Sequence, residues 1–133
     1  MIKLFIGAKG SGKTKTLIEL VNGATAASNG SVVCIAKGGK LRFDITSKAR
    51  LIDTDDYAIN NAEALYGFVS GILASNSDIT DVFVDSSLKI CGDDVAAFEA
   101  LLNKLGPVVK DVNLVMTASI AVEVASATIK SFT

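Results

Sequence analysis

Short apolar runs alternate along the chain with longer stretches in which apolar residues recur every three or four positions. The runs at 2–6, 31–36 (S-V-V-C-I-A), 81–85 (D-V-F-V-D) and 112–116 (V-N-L-V-M) have strand length and predict buried strands. Leu17, Ile18, Leu20, Val21 and Ala24 fall at helical spacing and predict a helix over about 13–26. Ala62, Leu65, Phe68, Val69, Ile72 and Leu73 predict a second over about 60–74, with Gly67 and Gly71 expected to pack closely on the sheet. A third is expected over 93–105, opened by Asp93-Asp94 and stopped by Gly106-Pro107. Residues 121–127 predict a short helix and 128–132 a last strand. Lys37-Gly38-Gly39-Lys40 has the form of a two-residue hairpin turn, with short extended segments expected after it at 41–45 and 49–52 as an antiparallel edge. Strands alternating with helices predict a three-layer α/β/α sandwich, a mainly parallel sheet of about five strands in a single domain over 1–133.

Composition narrows the class. Half of the 133 residues are hydrophobic and 20% are charged, which suits a globular chain with a real core. No apolar stretch approaches the roughly 20 residues that span a bilayer. The first apolar run leads directly into a glycine-rich segment and not into a cleavage site, so a cytoplasmic protein without a membrane partner is expected. Cys34 and Cys91 lie in or beside apolar strands and are expected as buried thiols. The absence of histidine excludes a histidine base and a zinc site. The net charge of −1 hides an asymmetry: residues 1–50 hold nine basic residues against Glu19 and Asp44, whereas residues 51–133 hold four lysines against twelve acids. The basic half would focus positive potential on a polyanion, but no aromatic–basic interleaving marks a nucleic-acid site.

The strongest chemistry lies in Gly7-Ala8-Lys9-Gly10-Ser11-Gly12-Lys13-Thr14, followed by Lys15. It fulfils G-x-x-x-x-G-K-[ST] at every position. Glycines let the backbone approach a phosphate without a Cβ in the way. Successive N–H groups then form an anion nest at a helix N-terminus. Lys13 is placed to reach the β- and γ-phosphates, and the Thr14 hydroxyl to hold Mg²⁺. On these residues the chain resembles the P-loop NTPase superfamily. The resemblance implies bound ATP and Mg²⁺, with Asp85 at the end of V-F-V as the acid that orients the metal. The run V-F-V-D-S-S resembles the strand end of RecA-like ATPases, which implies that strand 112–116 lies between strands 2–6 and 81–85. The catalytic glutamate of that family has no counterpart at Ile35-Ala36-Lys37. Asp53, Asp55 and Asp56 are the nearest substitutes, and the same residues also suit a solvated turn or a helix cap. Thr117 and Ser119 sit where related ATPases carry a polar group near the γ-phosphate, and Arg42 and Arg50 are the two arginines available as fingers.

These features predict Mg-nucleotide binding with slow or partner-stimulated hydrolysis, with Lys13 and Asp85 as the central pair. A small GTPase is disfavoured because Asp85 is followed by Ser86, Ser87 and Leu88 and not by x-x-G. A nucleoside or small-molecule kinase and a non-enzymatic switch that binds a protein partner or oligomerises stay open. The chain looks most like a small stand-alone bacterial member of the superfamily.

Overall fold

The computed structural model describes residues 1–133. Five strands, β1 (Ile2–Gly7), β2 (Ser31–Ala36), β3 (Arg50–Asp53), β4 (Ile79–Val84) and β5 (Asn113–Ser119), form one sheet in the order β1-β5-β4-β2-β3. Every pairing is parallel. The helices are α1 (Lys13–Ala27), α2 (Ala62–Ser75), α3 (Ser87–Ile90), α4 (Val95–Val108) and α5 (Ala127–Ser131). Strand β5 lies between β1 and β4, as the sequence predicts, so the C-terminal ends of these three strands stand side by side. No helix is long and apolar enough to cross a membrane.

The period of two along each strand divides the core into two faces. On β2, Val33 and Ile35 join the larger cluster, whereas Val32, Cys34 and Ala36 join the smaller one. On β4, Val82 and Val84 face one way and Phe83 the other. Leu65 and Val69 of α2, Leu88 and Ile90 of α3, Phe98, Leu101, Leu102 and Leu105 of α4, and Ile129 of α5 cover the larger face. Leu17 and Val21 of α1 cover the smaller face, together with Leu41, Ile45 and Ala49. The result is a three-layer α/β/α sandwich.

Several local expectations are corrected. The hairpin at 37–40 does not form, and β3 pairs parallel to β2. Residues 41, 45 and 49 recur every four positions, and the segment folds as successive turns that lay all three onto the sheet. Asp44 and Ile45 both donate their N–H to the Leu41 carbonyl, at 2.9 and 3.1 Å. Asn22 of α1 clamps these turns, donating to the Asp44 carbonyl at 3.0 Å and accepting from the Thr46 N–H at 2.9 Å. The expected last strand is helix α5, because the Ser126 hydroxyl caps it by accepting from the Ile129 N–H at 3.1 Å. Edge strand β1 instead donates its Leu4 N–H to the Phe132 carbonyl at 2.8 Å. Helix α4 continues through Pro107 to Val108, since Gly106 has no Cβ to clash with the proline ring. Gly67 and Gly71 lie on the exposed side of α2, where an added Cβ would meet nothing within 4 Å, so they make no close approach to the sheet. Between 121 and 127 only a 3-10 turn forms, at Val122–Val124.

Candidate functional site

The site forms where β1 gives way to α1. Gly7, Gly10 and Gly12 take φ values of 156°, 84° and 91°. The last two lie in the left-handed region that glycine enters without penalty. Gly7, also at positive φ, is constrained by space as well, because a Cβ there would lie 2.7 Å from the Ser11 Oγ. Helices α2, α4 and α5 each open with a side-chain cap, from Asn61, Asp94 and Ser126. Helix α1 opens at Gly12 with none. Its first N–H groups are therefore free of a side-chain acceptor, and the positive end of the helix dipole is open to an anion. The Lys13 ammonium arches back over the loop, donating to the Ala8 carbonyl at 2.9 Å and to the Ser11 hydroxyl at 3.4 Å.

One residue further on, the Thr14 hydroxyl donates to both carboxylate oxygens of Asp85, at 3.1 and 3.3 Å. Asp85 follows β4, is 1% exposed, and extends the ladder by donating its N–H to the Ile35 carbonyl at 2.8 Å. Its carboxylate also accepts from the Thr117 hydroxyl at 2.7 Å and the Ser86 hydroxyl at 3.3 Å. Thr117 in turn accepts from the Ser86 N–H at 2.8 Å, and its carbonyl accepts from the Ser87 hydroxyl at 2.8 Å. These bonds hold Ser86 at φ 55°, a left-handed turn that ends the strand line and starts α3. The buried charge of Asp85 is thus hydrogen-bonded on several sides, as a buried carboxylate must be. Its field reaches the neighbouring strand β2: burial first and the Asp85 carboxylate second push the Cys34 thiol up to about 12.

A cavity of about 590 Å³ opens above these groups. The loop and α1 give it Lys9, Gly10, Gly12, Lys13, Thr14 and Lys15, and the segment after β2 gives Lys40. Ser86, Leu88, Lys89 and Asp93 come from the chain after β4, and Thr117 and Ser119 from β5. Gly7, Ala8 and Ser11 shape the loop from behind this wall. The structure therefore brings together Lys13, Thr14, Asp85, Thr117 and Ser119 as the sequence arranged them.

It does not bring Asp53, Asp55 or the arginines there. Asp53 caps the 3-10 turn Thr54–Tyr57, accepting from the Asp55 N–H at 2.9 Å and the Gly38 N–H at 2.8 Å. Asp55 pairs with Lys37 at 2.7 Å. Arg42 stacks on Phe43, 4.9 Å from the ring centroid. Lys89 and Asp93 were missed. Of the pair Asp93-Asp94 expected to open α4, Asp94 is the cap, its carboxylate accepting from the Ala97 N–H at 3.0 Å, and Asp93 at φ 59° turns to the cavity rim. The sequence signal for Lys89 was its place two residues past Ser87, on the turn that Asp85 begins.

No protein-family model matches the chain, and no curated protein matches it. The chemistry therefore rests on the residues themselves. The glycine loop and the uncapped α1 suit a phosphate, and the paired Thr14 and Asp85 oxygens suit a hard divalent cation. No group of three or more Cys, Asp or Glu side chains converges in the structure. A cation here would take its remaining ligands from phosphate and water.

Proposed function

We propose that the chain binds a nucleoside triphosphate, ATP in the first instance, with Mg²⁺, and hydrolyses it slowly or under stimulation by a partner. The observation that carries this reading is the contact of Thr14 with Asp85 directly below an uncapped, glycine-shaped helix start. In this reading the loop N–H groups and Lys13 hold the phosphates, and Thr14 and Asp85 hold Mg²⁺. The metal would neutralise charge that develops on the phosphates. Lys13, resting on Ala8 and Ser11, would swing from those acceptors to the ligand.

Slow turnover follows from what surrounds the cavity. Asp85 is engaged by three hydroxyls, and the single carboxylate on the wall, Asp93, stands at the exposed rim. No arginine lines the wall to offset transition-state charge. Partner stimulation has its own support, and it favours a switch over a kinase. Lys40 on the cavity and Phe43, 86% exposed, lie three residues apart on one segment, so contact with ligand and with a partner would be linked. A cytoplasmic setting accords with two buried free thiols.

The test is a calorimetric titration of MgATP into the parent and into Lys13→Ala. The parent binds, and the variant binds at least about tenfold more weakly, the loss of roughly one charge-assisted hydrogen bond. Equal affinity in the two proteins overturns the site.

A further inference from the structure

The cavity wall is chemically one-sided. Lys9, Lys13, Lys15, Lys40 and Lys89 line it, against one carboxylate, Asp93, and one hydrophobic side chain, Leu88. Leu88 is itself 7% exposed and offers little surface. No aromatic ring reaches the wall. Sites that select an organic ring are lined mainly by apolar and aromatic groups, with a few fixed polar groups at the ring edge. Strong selection between similar ligands needs built hydrogen bonds whose loss leaves a buried group unpaired. The wall has neither feature. Lysine acts as a mobile point charge with rotatable donors, which attracts phosphate without reading what the far end of the chain carries. The five lysines also come from three separate segments, the glycine loop with α1, residues 37–49, and α3, so positive charge surrounds the cavity.

We propose, building on the nucleotide reading above, that the site recognises the polyphosphate chain and not the base. It takes ATP, GTP and CTP alike, and it takes inorganic tripolyphosphate with comparable affinity. Base and ribose project beyond the lysine wall. Lys40 and Lys89, which lie outside the glycine loop, attract the phosphates of every such ligand, so removing either weakens all of them by the same factor.

Calorimetry of the full chain with ATP, GTP, CTP and sodium tripolyphosphate, each with Mg²⁺, tests this. The four dissociation constants are expected to agree within about threefold, far from the selectivity of a base-reading site. All four should rise together with ionic strength, because screening acts on the lysines. Lys40→Ala and Lys89→Ala, with folding checked by circular dichroism, should weaken the four ligands equally. A preference for ATP above about tenfold over GTP or tripolyphosphate overturns the inference and leaves nucleotide binding intact. If Phe43→Ala lowers affinity for the nucleotides but not for tripolyphosphate, the base stacks on that ring and the inference fails in the same way. Binding of none of the four overturns this inference and the nucleotide reading together.

Discussion

The Thr117 hydroxyl donates to Asp85 at 2.7 Å and accepts from the Ser86 N–H at 2.8 Å. Its one proton is committed to the carboxylate, and both side chains are almost fully buried. The sequence places Thr117 near a γ-phosphate as a polar contact. The geometry gives it a different task, holding Asp85 in orientation and fixing the turn at Ser86. Ser119, two residues along β5 and exposed on the cavity wall, keeps a hydroxyl open to a ligand.

Thr117→Val removes that hydroxyl at nearly constant shape. It leaves a buried carboxylate oxygen and a backbone N–H each short of a partner, which costs about 2 kcal/mol. Thermal denaturation should show a clear drop in Tm, and Thr117→Ser should recover most of it. A Thr117→Val protein as stable as the parent would show that the bond contributes nothing to the fold.

Asp85→Asn separates the metal from the phosphate. The amide keeps an oxygen for Thr117 but loses the charge that attracts a cation. In the parent, Mg²⁺ should tighten ATP binding; in the variant, that gain should disappear. Binding in a chelator should be as tight as in the parent or tighter, because a buried anion beside the phosphates has been removed. An undiminished Mg²⁺ effect in a titration of Asp85→Asn would place the cation elsewhere.

The sheet was legible because each central strand is a short apolar run, and its alternation onto two faces needs only the period of two. The glycine loop was legible because each fixed position has a local steric or charge reason. Segment 37–49 was not, because Gly38-Gly39 carries a strong hairpin signal, whereas the fold is decided by Leu41, Ile45 and Ala49 packing against distant Leu17 and Val21. Tertiary burial overrode turn chemistry there. Asp53 is ambiguous in the sequence for a related reason. An acid at a strand end serves equally as a cap or as a ligand, and the choice depends on whether the strand lies at the sheet centre, like β4, or at its edge, like β3.

Two loop glycines should fail differently. Gly12 has room for a Cβ, since nothing lies within 4 Å, but its φ of 91° does not suit an L-residue. Gly12→Ala should therefore cost about 1 kcal/mol of stability in a urea titration. At Gly7 a φ of 156°, which L-residues rarely adopt, adds to the approach of a Cβ to the Ser11 Oγ at 2.7 Å. Gly7→Ala should lose more stability than Gly12→Ala, and it should weaken ATP binding by displacing Ser11 from Lys13. Equal stability losses in the two variants would contradict this division.

The two thiols give a prediction at high pH. Burial and then the Asp85 charge raise Cys34 from 9.0 to about 12, and burial and then Asp94 raise Cys91 from 9.0 to about 11. Below pH 9 both thiols are protonated in folded and unfolded chains alike, and their contribution to stability is fully present. Above pH 9 the unfolded chain loses these protons first, so the contribution falls as pH rises and is gone once pH passes the folded values. A thiol reagent at pH 8 should leave both cysteines of the native protein unlabelled and label both in denaturant. Between pH 9 and pH 11, the urea midpoint of the parent should fall more steeply than that of a protein carrying Cys34→Ala and Cys91→Ala. The two proteins differ only at these thiols, so the difference in slope isolates them. Parallel slopes would show that neither thiol is held protonated by the fold.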